Sequence, residues 1–444
     1  MLRFKSSIKK DASSIFYSGL NECKPIGRLS KIINLKKNGN NKTIEISRKK
    51  FLLHPQGRVV VIGAGKASSQ MAQTLENKIK EVIDCGIVIT PYKYKTNCEK
   101  IEVVEASHPL PDKNGLNHTK TIMNLIEKCS KYDLVVFLLS GGASSLLIKP
   151  AVGIELKEKS WVIERLLEAG ATINELNCVR KHLSAIKGGQ LALKTFPSRL
   201  ITLYISDVIG NKLEVIGSGP TYGDSTTFQD AQKILIKKNI WDISPKSIKQ
   251  HIEMGLAGRI HDTPSPREVQ KKKTYYFMVS DLNIALSASM KKAKTLAYKT
   301  RILANNLQGE AKKVGVYLAK IAKDEREKKT GPSCIICGGE TTVTVKGNGK
   351  GGRCQEIALA FAREISGIPK IVLLSSGTDG RDGPTNSSGA IVNGRTVNSK
   401  THFIDSKEAL RNNNSNIFLG SRKSLFKTGP TGTNVMDIMV LIIR

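Results

Sequence analysis

Four glycine- and serine-rich turns, each directly after an apolar run, gather the residues of this chain that could do chemistry. The first, at residues 63–68 (GAGKAS), sets Gly63 and Gly65 where a strand passes into a helix, so backbone N–H groups could face an anion, and Lys66 adds a full positive charge. It is not a Walker A loop: the glycine that motif needs four residues ahead of Gly65-Lys66 is Val60. The second, at 140–145 (SGGASS), offers the hydroxyls of Ser140 and Ser144 beside a nest of amides at Gly141 and Gly142, suited to a carboxylate or a phosphate. The third, at 347–353 (GNGKGGR), satisfies GxGxxG but lacks a convincing acidic residue about 20 positions on, as a ribose-binding unit would have. Gly351 and Gly352 there lead into Arg353, whose fork of donors at a helix start can clamp phosphoryl oxygens. The fourth, at 375–383 (SSGTDGRDG), carries Asp379 and Asp382, and its counterpart earlier in the chain is Ser206-Asp207 after the run 200–205. An aspartate at such a strand end can orient a hydroxyl nucleophile and take its proton, or hold the Mg²⁺ of a nucleotide; both roles are open for Asp207 and Asp379.

Between these turns, residues 177–190 (NCVRKHLSAIKGGQ) read as a helix with Leu176, Val179, Leu183 and Ile186 on one stripe and Arg180, Lys181 and Lys187 on the other side. Few carboxylates balance that side, so Arg180 and Lys187 are candidates for facing an anion, against the usual reading of a solvated basic face. His108, in the turn SHPLPD, is a second-rank candidate, as is Asp382. Glycine turns, one lysine, one arginine and strand-end aspartates are the parts of phosphoryl transfer, which needs positioning and charge neutralisation more than covalent chemistry. The same turns could hold a dinucleotide for hydride transfer.

The elements that must carry these turns alternate between strand-length apolar runs and helical spacing, the pattern of an α/β chain with a mainly parallel sheet. The run 58–62 (RVVVI), the stripe Ala67, Met71, Leu75 and Ile79, and the run 85–90 make one βαβ unit. Runs at 101–105, 134–139 and 200–205, with helices at 116–129 and 156–169, continue it. Residues 255–273 break the pattern with Pro, Gly and charge. The expected division is therefore an N-terminal α/β domain at 1–260, a linker at 261–273, and a C-terminal α/β region at 274–444. In the second series, strands are expected at 275–279, within 334–345, at 371–374 and at 436–443, with helices at 283–298, 309–329 and after Arg353.

The chain has 444 residues, 40% hydrophobic and 24% charged, which excludes a collagen, a coiled coil and a wholly disordered chain. No apolar run approaches the roughly 18 residues of a membrane span. Its 70 Lys+Arg against 38 Asp+Glu leave +32, which raises nucleic acid as a partner. Those charges are spread along the chain and only 5% of residues are aromatic, so a stacking platform is hard to assemble and the reading turns to small anions instead. Eight scattered cysteines fit a reducing compartment, with Cys334 and Cys337 expected as buried thiols. The opening MLRFKSSIKKDASS is basic and Ser-rich, faintly like a mitochondrial transit peptide, but Asp11 intrudes early and no cleavage pattern is evident, so the cytoplasm is expected, with the mitochondrion as the alternative. The oligomeric state is left open, a homo-oligomer included.

In combination and order, VVVIGAGKAS, ASHPLPD, LLSGGASSLL, INELNCVRKHLSAIKGGQLA, ISDVIGNKLEVIGSGPTYGD, GGETTVTV with GGRCQE, LSSGTDGRDGPT and TGPTGTNVMD make the chain resemble the glycerate 2-kinase family, whose C-terminal part is the MOFRL domain. The resemblance covers nearly the whole chain. It implies a larger N-terminal α/β/α layered, Rossmann-like domain and a smaller C-terminal α/β MOFRL domain at about 333–440, with the active site in the cleft between domains. It implies ATP and Mg²⁺ as cofactors and phosphorylation of D-glycerate, at the 2-hydroxyl. By motif, the family's catalytic lysine falls on Lys66 and its catalytic arginine on Arg353, and Asp207 and Asp379 match its acidic positions. The alternatives are an NAD(P)H-dependent hydroxypyruvate reductase and a basic nucleic-acid-binding protein. Three departures stand out: Ala143 where the family commonly has a third glycine, Cys354 for the usual Asn, and Asn386 for a common Asp.

Overall fold

The computed structural model describes residues 7–328 and 331–444, which divide into two compact units: Arg28–Val279, and residues 7–27 with the described residues of 280–444.

The first unit is built on a six-stranded sheet in the order Ile101–Ala106, Cys85–Pro91, Val59–Ala64, Leu134–Leu139, Arg199–Ile205, Thr274–Ser280. The first five strands pair in parallel, as the alternation predicted. Every residue of the two central strands, VVVIGA and LVVFLL, is buried, which is why they read as continuous apolar runs with no polar face. From Val59–Ala64 the chain winds outward through Cys85–Pro91 to Ile101–Ala106, then returns to Leu134–Leu139 and winds the other way. Reversal of direction opens a crevice at the carboxyl ends of these two strands, where α/β sheets bind ligands. A core of Val60, Ile62, Val135, Phe137, Ile122, Met123 and Ile186 fills one face. A second cluster, around Val162, Leu176, Val179, Phe228 and Ile252, packs the helices Leu156–Glu168, Ile173–His182, Phe228–Lys237 and Lys246–Leu256 together. An antiparallel meander, Ile33–Asn38, Asn41–Ile46 and Lys49–Leu52, was not foreseen.

The second unit has a mixed sheet in the order Lys299–Leu307, Ser333–Gly339, Asp437–Ile443, Ile371–Gly377, Gly389–Asn393, Leu425–Phe426. The last long strand runs antiparallel between two neighbours, so the parallel arrangement expected from the alternation holds for the first sheet and not for this one. Helices Ala311–Glu327 and Arg353–Glu364 cover one face through Leu318, Ala322, Ile357 and Phe361. Helix Ile8–Cys23 packs on Leu282–Thr295, where Ser289 Oγ donates to the Ile15 carbonyl at 3.0 Å. Buried Asp11 accepts the Tyr298 hydroxyl at 2.7 Å and the Arg444 guanidinium. Of the opening stretch compared with a transit peptide, residues 8–14 thus lie in a packed helix, and residues 1–6 lie outside the described residues. Cys334 and Cys337 are fully buried in Ser333–Gly339, and burial pushes both thiols up to about 12.

The boundary differs from the expected linker at 261–273. Ser265 and Glu268 form a capping box on the helix Pro266–Gln270, Val269 is buried in the first unit's core, and Thr274–Ser280 is the edge strand beside Arg199–Ile205. The Pro and charged residues that read as a linker are a helix start and its exposed face. The strand expected within 334–345 is Ser333–Gly339 alone, and Lys299–Leu307 is a strand that its polar sequence concealed.

Candidate functional site

In the first unit the turns at 63–68 and 140–145 stand side by side at the switch of the sheet, held together by backbone bonds. Lys66 N donates to Gly141 O at 2.9 Å, Ala67 N to Ser140 Oγ at 3.0 Å, and Gly65 N to Ile89 O at 3.1 Å. The amides expected to cradle an anion at the first turn are thus committed to the protein, and what this turn offers is the half-buried Lys66 side chain. Gly63 lies inside its strand, where a Cβ would press on Leu138 O at 2.8 Å; Gly65, at φ 134°, backs directly onto Ser140. Gly65 serves the close approach of the two turns, and Gly63 that of the neighbouring strands.

Gly142 is the point of convergence. It sits at φ 86°, and a Cβ placed on it would meet His108 Cδ2 at 2.9 Å and Lys66 Cγ at 3.4 Å. A Cβ on Gly141 would overlap the Asp207 carboxylate. Lys66, His108, Asp207 and the Ser140–Ser145 turn, singled out separately in the sequence, therefore form one cluster. Ala143 opens the short helix Ala143–Leu146 and is fully buried, so the positive φ falls on Gly142 and the missing third glycine costs the turn nothing.

Beside this cluster lies a cavity of about 250 Å³, lined by Ser144, Ser145, Lys159, Arg180 and Lys187 with Leu110, Ile148, Ile163 and Leu167. The helix expected across 177–190 ends at His182; Ser184 then bridges to Pro150, and Gly188 and Gly189 take positive φ (59° and 83°). The basic residues are not on a solvated face: Lys181 is buried and paired with Asp224 at 3.0 Å, and Lys187 is buried at the cavity. Burial, then the charge of Arg180, pushes Lys187 down to about 7. Burial also lowers Arg180. Sequence reasoning missed Lys159, although it occupies the buried stripe of its helix with Val162 and Leu166 at i+3 and i+7. A lysine at an apolar stripe position was the signal.

The second unit holds Arg353, Asp379 and Asp382. Arg353 opens the helix Arg353–Glu364, and its guanidinium takes Asp437 in a two-pronged pair, Nε to Oδ2 at 2.5 Å and Nη2 to Oδ1 at 2.9 Å, and Glu340 at 2.7 Å. Burial disfavours its charge, but Asp437 outweighs this and holds the arginine firmly protonated. Asp437 begins the central strand, flanked in register by Gly339 and Gly377, whose lack of side chains leaves room for the pair. Asp437 and Glu340 were not singled out, although both lie in motifs quoted for the family.

Asp379 sits beside Asp437: a Cβ on Gly377 would be 3.4 Å from an oxygen of each. Asp382 caps the arginine's helix, accepting from Cys354 N at 3.0 Å, Gln355 N at 2.8 Å and Gln355 Nε2 at 2.9 Å. Burial and then the charge of Asp437 push its carboxyl up to about 7 against the pull of those amides.

The 347–353 turn is not an open phosphate cradle. Lys346 N and Gly347 N donate to Asn413 Oδ1, Gly349 N to Asn412 O, and Lys350 N to Asn414 Oδ1. Gly351 packs on Ser415 and Gly352 on Asp382. These glycines let two backbones approach, which is the structural reason a GxGxxG pattern appears without a dinucleotide site. Among the described residues no group of three or more His, Cys, Asp or Glu is placed to hold a metal, and no helix is long and apolar enough to cross a membrane. Cys354 is fully buried, and Asn386 lies exposed in its loop.

Residues 11–253 match the family described as "Domain of unknown function (DUF4147)", and residues 333–437 the MOFRL family. The chain is 38% identical over 417 residues to a glycerate 2-kinase of Pyrococcus horikoshii, covering 93% of this chain and 92% of that protein. It is also 38% identical over 395 residues to a protein of Agrobacterium vitis that bears a hydroxypyruvate reductase name, covering 88% of each. The crystal structure of a glycerate kinase from Thermotoga maritima superposes with a TM-score of 0.84 at 34% identity, over 98% of this chain and 99% of that one. Two α/β units carrying these motifs in this order, with the Lys66 cluster in one and the Arg353 pair in the other, agree with that likeness along the whole chain: it belongs to the glycerate 2-kinase family with a C-terminal MOFRL region.

Proposed function

We propose that the protein transfers the γ-phosphoryl group of ATP to the 2-hydroxyl of D-glycerate, giving 2-phosphoglycerate and ADP. The observation that carries this reading is the convergence of Lys66, His108 and Asp207 on the Gly141–Gly142 turn at the switch of the parallel sheet. The glycerate kinase names of the relatives from Pyrococcus horikoshii and Thermotoga maritima support the substrate.

In this account the 2-hydroxyl oxygen bonds to the γ-phosphorus as the bond to the ADP oxygen breaks. Asp207, set among glycines beside Lys66, orients the hydroxyl and takes its proton. Lys66 and Arg353 neutralise the charge on the transferred group, which is most of what phosphoryl transfer asks of a protein. Asp437 fixes the plane of the Arg353 guanidinium by two bonds, which lowers the cost of holding that charge in one orientation. Mg²⁺ coordinates through one or two carboxylates together with substrate phosphates, and Asp379, with the Asp437 carboxylate close by, fits that role. There the metal supplies neutralisation of the nucleotide's phosphates.

Phosphorus NMR of a reaction with D-glycerate and Mg-ATP tests the reading: a 2-phosphoglycerate resonance is expected, and a 3-phosphoglycerate resonance overturns the regiochemistry. The reductase reading has less support, since the one GxGxxG turn is closed by Asn412–Asn414. Hydroxypyruvate-dependent loss of NADH absorbance by the pure protein would reinstate it.

A further inference from the structure

We propose that the cavity lined by Lys159, Arg180 and Lys187 is the carboxylate pocket of the acceptor substrate, that Lys159 is a specificity-determining residue in it, and that it takes small 2-hydroxy monocarboxylates as a class. The inference rests on the reading above that the acceptor is a hydroxy acid.

Three cations meet there with no ion-paired carboxylate among the described residues, and their neighbours raise rather than relieve the cost. Burial, then Lys187 and Arg180, lowers the Lys159 ammonium well below its ordinary value. Lys159 and Lys187 are 3% and 1% exposed, so water does not compensate them. Other titratable groups nearby are Glu164, which lines the same cavity from the helix of Lys159, and His251, which feels Lys159 and bonds the His182 carbonyl at 2.9 Å. Buried cations without an anion are strongly unfavourable, so their grouping in one cavity marks the place of a bound anion.

Donor counting agrees. Lys159 Nζ donates to Arg180 O at 3.2 Å and Leu183 O at 2.9 Å, and Lys187 Nζ to Gly217 O at 3.2 Å. Each ammonium has three N–H groups, so one remains on Lys159 and two on Lys187, with Ser144 and Ser145 on the same wall. Beyond Ser160 and Glu164, the rest of the lining is apolar, Pro109, Leu110, Pro111, Ile148, Ile163 and Leu167, which suits a carbon skeleton and not the many oxygens of a triphosphate. Volume agrees too: about 250 Å³ lies below the roughly 300–1,000 Å³ of drug-sized sites. Ser144 and Ser145 follow Gly142, where Lys66 and His108 converge, so a carboxylate here leaves its 2-hydroxyl as the group next to the reacting cluster.

The test is calorimetric titration of the full chain with D-glycerate, glycolate, D-lactate and inorganic phosphate without nucleotide, beside a titration with Mg-ATP, for the wild type, Lys159→Met and Lys187→Met. Wild type is expected to bind the three hydroxy acids, both variants to lose at least tenfold in that affinity, and ATP affinity to change less than threefold. Lys159→Met removes a buried charge and is expected to melt no lower than wild type; Arg180→Gln provides a further variant if either lysine variant misfolds. Unchanged glycerate affinity in soluble variants overturns the proposal and leaves Lys159 as a tie to the Arg180 and Leu183 carbonyls. Loss of ATP affinity instead, or phosphate binding that competes with ATP, overturns it in favour of a phosphate pocket. Lysine-dependent binding of the hydroxy acids by a protein that phosphorylates none of them keeps the pocket and sinks the kinase reading alone.

Discussion

Asp437 holds Arg353 by two near-parallel bonds of 2.5 and 2.9 Å, with the aspartate 1% exposed and the arginine about a third exposed. Such a pair fixes the plane of the guanidinium as well as its charge. Asp437→Asn is expected to cut kcat at least tenfold with little change in the glycerate KM, and to cost about 1–3 kcal/mol of stability, discounted from the 3–5 typical of a broken buried pair because Glu340 still faces the arginine. Steady-state kinetics with a urea melt checks both; an unchanged kcat would remove Asp437 from the account.

Gly142→Ala places a Cβ at positive φ against His108 and Lys66. The backbone cost is about 1 kcal/mol, but the displacement of Lys66 should reduce kcat by about a hundredfold, the scale of a 1 Å misplacement. A variant melting slightly lower with full activity contradicts the convergence of the two side chains on this turn.

Proton linkage gives two opposite slopes. Lys187, pushed down to about 7, is neutral in the folded chain between about 7 and 10.5, where the unfolded chain keeps its proton. Stability from this group therefore rises with pH across that window, and its cost is fully present below 7. An anion favours the charged lysine, so stabilisation by D-glycerate should be largest near pH 6 and shrink toward pH 9. Asp382, raised from 3.8 to about 7, holds its proton when folded in that window, so its contribution falls as pH rises from about 4 to 7. Asp382→Asn should flatten that fall. Thermal melts from pH 4 to 9, with and without D-glycerate, separate the two.

Asn386 is exposed and Cys354 is buried behind the Asp382 cap. Restoring the family's carboxylate with Asn386→Asp is expected to change stability by less than about 0.5 kcal/mol, as for an ordinary surface substitution, and kcat by less than twofold. A larger gain in activity, read from initial rates over a range of Mg²⁺, would show that the departure weakens metal or nucleotide binding.

What the sequence made legible follows burial. Val59–Ala64 and Leu134–Leu139 are apolar throughout because helices cover both sheet faces, so their position and the turns after them could be read directly. Lys299–Leu307 is largely exposed and polar, and the meander at Ile33–Leu52 has one open face; neither leaves a clear pattern. The boundary was misplaced because a capped five-residue helix has the composition of a linker. In the site, residues on glycine turns were visible as motifs. Lys159 was passed over although its place on an apolar stripe signalled it, and Asp437 and Glu340 were passed over because their role, holding Arg353, shows only once their partner across the fold is known.

The central claim is that Lys66 and Arg353 act on the transferred phosphoryl group. Its most direct test is pre-steady-state phosphoryl transfer from Mg-ATP to D-glycerate by Lys66→Ala and Arg353→Ala, with substrate affinities measured on the same preparations. The account predicts that each variant folds, binds D-glycerate within threefold of wild type, and transfers at least about a thousandfold more slowly, the low end for removing a transition-state cation in phosphoryl transfer. Transfer at near wild-type rates in either variant, with only a raised KM, would contradict it.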